Sequence, residues 1–163
     1  MVQATNCPSQ NTAMKPIEIK ITGHIQKTSL EICEGILDIE RWSEFKGYSI
    51  LPGITSAQFE VRTPEITGSK IKVKNTDGSS HVEEIIEWDV TRKIALRFQE
   101  FNSPLSSLAT HFIETWEFHN SPNGTETSRR MAMYPKGVLG WLALIPISRL
   151  MKKAFEENLR QSS

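Results

Sequence analysis

The chain has 163 residues, 38% of them apolar and 23% charged, with 19 Lys and Arg against 19 Asp and Glu. A chain of this length buries about 70% of its unfolded surface, so a single domain holds an adequate core without disulfides or a structural metal, and a second domain has little room. Zero formal net charge argues against a protein whose main task is to hold nucleic acid or anionic lipid, since both need a positive field, although local patches are not excluded.

The first residues, MVQATNCPSQNTAMK, have no apolar core of a signal peptide and read as a disordered tail over 1–15, with Met14 as an alternative start. Cys7 in that tail and Cys33 in an apolar-periodic stretch read as reduced thiols of a cytoplasmic protein. A single domain is expected over 16–161. Residues 17–25 alternate, with Ile17, Ile19, Ile21 and Ile25 on one side and Glu18, Lys20, Thr22 and His24 on the other, the pattern of a half-buried strand. Thr28 with Glu31 forms a capping box ahead of Leu30, Cys33, Ile36 and Leu37, which predicts a helix over 29–37. Asp38 is placed to cap a second short helix that carries Trp42 and Phe45 inward and stops at Gly47; Pro52 and Gly53 then mark an irregular entry to the next strand.

Six short strands are predicted next, over 54–61, 69–75, 80–89, 93–101, 108–118 and 125–134. Turn residues separate them, among them Thr76-Asp77-Gly78 and Asn120-Ser121-Pro122-Asn123-Gly124. Asn123-Gly124-Thr125 also fits a glycosylation acceptor, but in a hairpin the turn reading prevails. The chain ends in a helix predicted over about 137–160. Its second half is amphipathic; its first half, Val138 to Ile147, is apolar all round and about 15 Å long, against the roughly 30 Å of a bilayer core, so it does not span a membrane. Pro146 is expected to kink the helix where the two halves meet.

Strands that follow one another without crossover helices exclude a doubly wound parallel sheet and give an α+β fold. An antiparallel sheet with one apolar face has to cover it, and the terminal helix is the one element long enough. The order of elements, the stretch LPGITSAQFEV, the run GSKIKVKNTDGSSHVEEIIEWDVTRKIALRF, then HFIETWEF and the following Gly-Thr resemble the SRPBCC group of START-like proteins, also called polyketide cyclase/dehydrase-like, over residues 17–160. That resemblance implies a helix-grip fold: a seven-stranded antiparallel sheet curled around a long C-terminal helix, two short helices after the first strand and an internal cavity for small apolar molecules. Members include lipid carriers, hormone receptors, cyclases and hydroxylase components, and no shared catalytic set carries over.

Strand parity names the expected cavity lining. If Phe118 pairs with Thr125, then Trp116 opposes Thr127, Glu114 opposes Arg129, Phe112 opposes Met131 and Thr110 opposes Met133, all on the concave side. The same alternation turns Val82, Glu84, Ile86 and Trp88 inward, beside Ile94, Leu96, Phe98 and Glu100. Trp141 of the terminal helix and Met133 complete the lining. Ile86, Leu96 and Phe112 read equally well as ordinary core. Glu114 and Arg129 read either as a structural ion pair or as groups that orient a ligand, and Glu84 as a water-exposed edge residue or a pocket carboxylate. His24, His81, His111 and His119 are all expected in solvent.

No phosphate loop, G-x-S-x-G, C-x-x-C or H-E-x-x-H occurs. His111 and Glu114, three apart on a strand, face opposite ways and cannot share a metal. Neither a cofactor nor a metal is expected, and Lys152 with Lys153 forms no nucleic-acid patch. Three functions compete. The first is binding of a small hydrophobic or aromatic molecule (a lipid, isoprenoid or polyketide-like compound) for storage, transfer or presentation. The second is a cyclase or dehydrase in which a carboxylate removes a proton α to a carbonyl; a carboxylate paired with a guanidinium is a weak base, which leaves Glu84 as the candidate. The third is docking on a partner or membrane surface through residues 138–147. The oligomeric state stays open between a monomer and a weak dimer.

Overall fold

The structure is a computed structural model and describes residues 14–162. The expectations for Cys7 and for the tail up to residue 13 therefore fall outside the described residues. Strand β1 (Ile17–Ile25) leads into α1 (Ser29–Leu37), a 3-10 helix (Ile39–Glu44), the two-residue strands β2 (Gly47–Tyr48) and β3 (Leu51–Pro52), then β4 (Ile54–Val61), β5 (Lys70–Asn75), β6 (Ser80–Asp89) and β7 (Lys93–Gln99). A one-turn helix α2 (Leu105–Leu108) precedes β8 (Ala109–Ser121), β9 (Gly124–Pro135) and the terminal helix α3 (Gly137–Ser162). Seven strands form one antiparallel sheet in the order β1-β9-β8-β7-β6-β5-β4, and β2 pairs with β3 apart from it. The α+β, helix-grip architecture expected from the sequence is the one observed.

Local chemistry accounts for the first elements. The Glu31 N–H donates to Thr28 Oγ1 at 3.2 Å and the Thr28 N–H donates to Glu31 Oε2 at 2.8 Å, so two orphan donors of α1 are satisfied reciprocally. Asp38 sits at the start of the 3-10 helix without a side-chain capping bond. Trp42 turns inward as expected, and its Nε1 donates to Ile36 O at 3.0 Å. Phe45 does not: it is exposed, because the chain leaves the 3-10 helix there in an extended conformation. Gly47, at φ +90°, turns the chain into the β2–β3 hairpin, where a Cβ would meet the backbone of Leu51 and Pro52.

The interior has two apolar clusters. One joins Ile71, Val73, Ile85, Ile94, Leu96, Trp116 and Phe118 of the sheet to Ile32 and Cys33 of α1. Burial pushes the Cys33 thiol up to about 11, which makes it an inert core group. The other joins Ile19, Ile21, Phe112, Met131 and Met133 to Leu144 and Phe155 of α3, with Leu159 bridging both clusters. Helix α3, about 39 Å long for its 26 residues, packs mainly against β1 and, more lightly, α2 and β9. Gly23 makes this approach possible, since a Cβ there would come within 2.3 Å of Leu159 Cδ2. The helix runs through Pro146, and Ser148 Oγ donates to Ile145 O nearby at 2.7 Å. No helix among the described residues is long and apolar enough to cross a membrane.

Strand pairing corrects four expectations. The β8–β9 strands run further into their turn than predicted, so Ser121 opposes Gly124 and the loop is Pro122-Asn123 alone. The register is displaced by two: Phe118 faces Thr127, Trp116 faces Arg129, Glu114 faces Met131 and Phe112 faces Met133. Thr110 is the extra residue of an irregularity between Ala109 and His111 and lies exposed. In β6 an irregularity falls between Ile85 and Glu87. Ile85 opposes Leu96 and Trp88 opposes Ile94, so Trp88 faces inward as expected, whereas residues before the irregularity have the opposite parity. His81, Glu83 and Ile85 are inward, paired with Val73, Ile71 and Leu96 respectively. Val82 and Glu84 stand on the convex side, opposite Lys72 and Lys70.

Candidate functional site

Strands β6 to β9 bring a set of polar side chains to the concave face among aromatic rings. On β8, Glu114 is buried, and its Oε1 accepts from Trp116 Nε1 at 2.8 Å and from Arg129 Nε of β9. Glu114 and Arg129 are not directly opposite but diagonal, Arg129 facing Trp116; diagonal neighbours on one face remain within reach of long side chains. The Arg129 guanidinium carbon lies 3.5 Å from the centre of the Phe155 ring and 4.6 Å from that of Trp116, and its Nη1 donates to Asn158 Oδ1 at 3.3 Å. Helix α3 thus holds this cation from the other side, through an aromatic ring and an amide.

The second polar group of this face comes from β6. Glu83 is buried, with its Oε1 3.1 Å from His81 Nε2. Burial pushes the Glu83 carboxyl up, and the nearby charge of Glu114 pushes the same way; the His81 hydrogen bond and the Arg129 charge oppose this without reversing it. His81 stacks on Phe98 with ring centres 5.5 Å apart, and Phe101 lies 6.2 Å from it and 5.0 Å from Phe112. The arrangement supplies an acid that burial favours in its protonated form, an imidazole beside it, and a guanidinium anchored between two rings. A neutral carboxyl donates one hydrogen bond and accepts others, so the group suits the uncharged polar end of an apolar molecule.

Several residues named from the sequence lie elsewhere. Glu84 is on the convex face, where its Oε2 accepts from Gln99 Nε2 at 2.8 Å. Ile86 is the extra residue of the β6 irregularity and joins neither apolar cluster. Glu100 is exposed at φ 55°, and this left-handed residue hands the inward position to Phe101. Trp141 is 38% exposed at the start of α3. Leu96, Phe98, Phe112, Glu114, Trp116, Arg129, Met131 and Met133 occur in the two clusters or in the polar group between them, and Trp88 packs against the first cluster. Of the histidines, His24 and His119 are exposed, while His81 faces inward and His111 stacks on Tyr134 at 4.2 Å; burial holds His111 below the usual imidazole range. His81, Glu83, Phe101 and Phe155 are the inward residues that sequence parity missed. The doubled Ile85-Ile86 between glutamates was the available signal, since two adjacent apolar residues interrupt an alternating strand where a bulge sits.

Two depressions among the described residues lie on the outside and not at the expected internal cavity. One runs between Gln26–Glu31 and the β8–β9 turn, the other beside Lys20, Lys152 and Leu159. On the concave face Ile71, Ile85, Ile94, Met131 and Met133 are fully buried, while His81, Trp88, Phe98 and Phe101 are only partly so. Among the described residues no group of three or more His, Cys, Asp or Glu is arranged to hold a metal ion.

The sequence profile described as polyketide cyclase / dehydrase and lipid transport matches residues 33–161. The chain belongs to that family. No curated protein matches it in sequence. Among solved structures it is similar to Ara h 8.0201, with TM-score 0.61 at 13% identity over 90% of this chain and 99% of that one. A START superfamily protein from Mycobacterium smegmatis gives TM-score 0.60 at 13% identity over 90% and 99% of the two chains. The Zhui aromatase/cyclase from Streptomyces sp. R1128 gives TM-score 0.57 at 11% identity over 76% of this chain and 70% of that one. At such identities these likenesses establish the fold alone.

Proposed function

We infer that the protein binds a small, mostly apolar molecule on the concave face of its sheet, the polar end of the ligand lying against Glu83, His81 and Arg129. The observation that carries this reading is Glu83: a carboxyl turned into the interior, raised by burial, with His81 as its partner at 3.1 Å and no Lys or Arg in salt-bridge contact among the described residues. A group of that kind weakens the fold unless something uses it. Its surroundings are aromatic and adaptable, since Phe98, Phe101 and Phe112 adjoin Met131 and Met133, and methionine repacks readily around an incoming shape. Family membership in a group that includes lipid transport and polyketide cyclisation supports an apolar ligand. The proposed contact set is Leu96, Phe98, Phe112, Trp116, Met131 and Met133 around the polar group, and the expected site of action is the cytoplasm.

Titration of intrinsic tryptophan fluorescence tests this, because Trp116 lies beside Arg129. Saturable quenching or enhancement is expected with at least one class among fatty acids, isoprenoids and polycyclic aromatics, weakened in Glu83→Gln. No saturable signal with any of the three would remove the reading. The same carboxyl favours a second reading, a cyclase or dehydrase step in which Glu83, and not Glu84, exchanges a proton α to a carbonyl, as the raised carboxyl beside His81 permits. There Glu83→Gln abolishes turnover of a poly-β-ketone substrate and leaves its binding measurable; unchanged turnover would exclude it.

A further inference from the structure

The start of α3 departs from the rest of the surface. Val138, Leu139 and Leu142 are 64%, 79% and 54% exposed, and Trp141 stands half in solvent beside them. The β2–β3 hairpin, whose turn residue Ile50 is 77% exposed, packs against the same helix. Five large apolar side chains at one end of the molecule exceed the scattered exposure that needs no explanation. None belongs to either core cluster or to the polar group under α3.

Charge says what could cover them. From Lys136 to Phe155 the sequence has four basic residues, Lys136, Arg149, Lys152 and Lys153, and no acidic one, and all four are exposed. Helical spacing places Val138, Leu142, Arg149 and Lys153 along one outer row, so the apolar tip passes directly into a basic stretch. The elements that pack beside the tip, α2, β2 and β3, contribute no charged residue, and Lys46 precedes β2. A second copy of this chain would set two basic rows against each other. An anionic lipid surface would take the apolar side chains below its headgroups, the Trp141 indole at the interface, and the basic row against its charge. The apolar stretch is about half the length needed to cross a bilayer, which fits a helix that enters the interface and stops.

We propose that the first turns of α3, with Ile50 of the β2–β3 turn, dock the protein on anionic membrane surfaces. This does not depend on the ligand reading, because the residues involved lie outside the Glu83–Arg129 group. Flotation of the full chain with vesicles of phosphatidylcholine alone, or of phosphatidylcholine with phosphatidylglycerol, tests it. Affinity for the anionic vesicles should be about tenfold or more higher than for neutral ones and should fall as salt is raised. Leu139→Glu with Leu142→Glu, both exposed and so compatible with an unchanged melting profile, should abolish flotation. Arg149→Glu with Lys153→Glu should erase the preference for anionic vesicles. A wild-type chain that fails to float, or a Leu139→Glu/Leu142→Glu variant that floats as well as wild type, overturns the proposal. So does concentration-dependent self-association that the same pair of substitutions abolishes while vesicle binding is absent, since a second copy would then be the occupant.

Discussion

Two buried carboxyls, Glu114 on β8 and Glu83 on β6, lie on the same concave face and have opposite surroundings. Glu114 accepts from the Trp116 indole and from Arg129, and α3 steadies that cation through Phe155 and Asn158. Glu83 has the imidazole of His81 as its hydrogen-bond partner and feels the charges of Glu114 and Arg129 only at longer range, and burial raises it. One carboxyl is matched by a guanidinium; the other is buried with an imidazole as its hydrogen-bond partner. The difference follows from position in the sheet. Strand β9 packs against α3, which supplies groups to complete a network with the adjacent β8, whereas β6 lies toward the far edge, against the apolar cluster that α1 helps to cover.

The sharpest way to break this contrast is to remove the cation from the scaffold half. Arg129→Met leaves Glu114 buried with the indole alone and should destabilise the fold by about 3 to 5 kcal/mol in denaturant melts. Adding Glu114→Gln, which removes the stranded charge and keeps an acceptor for Trp116 Nε1, should recover most of that loss, and the cycle of single and double variants measures the coupling. Coupling near zero would mean that the pair behaves like an exposed one, worth about 0 to 1 kcal/mol.

Removing the Glu83 carboxyl should act in the other direction. Its folded-state pKa lies above the ordinary 4.5, so between those two values the folded chain binds the proton and the unfolded chain does not. Stability therefore falls as pH rises through that window, and the loss is complete once pH exceeds the raised folded value. Glu83→Gln, which cannot ionise, should flatten this dependence and stabilise the ligand-free protein at neutral pH by about 1 to 3 kcal/mol, the range for a buried polar group relieved of its penalty. His81, Glu114 and Arg129 face Glu83 and share its electrostatics, so the comparison belongs at matched pH in the Arg129-intact background. A variant that loses stability at neutral pH would place Glu83 with Glu114 among structural groups.

The register of the two strands explains how much of this was legible in the sequence. Element order and most boundaries follow from alternation, capping and turn residues; 17–25, 29–37, 54–61 and 80–89 coincide with the observed elements. On β8 and β9 the pairing was displaced by two residues, yet Phe112, Glu114, Trp116 and Arg129 kept their face, because an even shift preserves side-chain parity. On β6 the single extra residue at Ile86 inverted the reading of everything before it, exchanging Glu83 for Glu84 and sending His81 inward. The segment VEEIIEW offers a glutamate on either parity, so composition could not choose. Phe101 was hidden in the same way by the left-handed residue Glu100. Deletion of Ile86 leaves Ile85, Glu87 and Trp88 in regular alternation with their partners Leu96, Ala95 and Ile94, so the chain should fold with a loss of about 1 to 2 kcal/mol. Failure to fold would show that the bulge itself shapes the sheet.

The smallest effect is expected at Glu84, one residue from the group that matters most. Glu84 stands on the convex face between Lys70 and Arg97 and accepts from Gln99. Glutamine at that position keeps the acceptor and removes a charge that makes no ion pair within 4.0 Å among the described residues. Arg97 Nε is buried without a hydrogen-bond partner, so loss of the neighbouring negative charge has a small unfavourable component that limits any gain. Glu84→Gln should therefore change stability by no more than about 0.5 to 1 kcal/mol and leave the fluorescence titration with any bound ligand unaltered. The pair of variants fixes the orientation of the strand: if Glu84→Gln weakens ligand binding and Glu83→Gln does not, β6 has its other face to the interior in solution, and the polar group under α3 loses its acid.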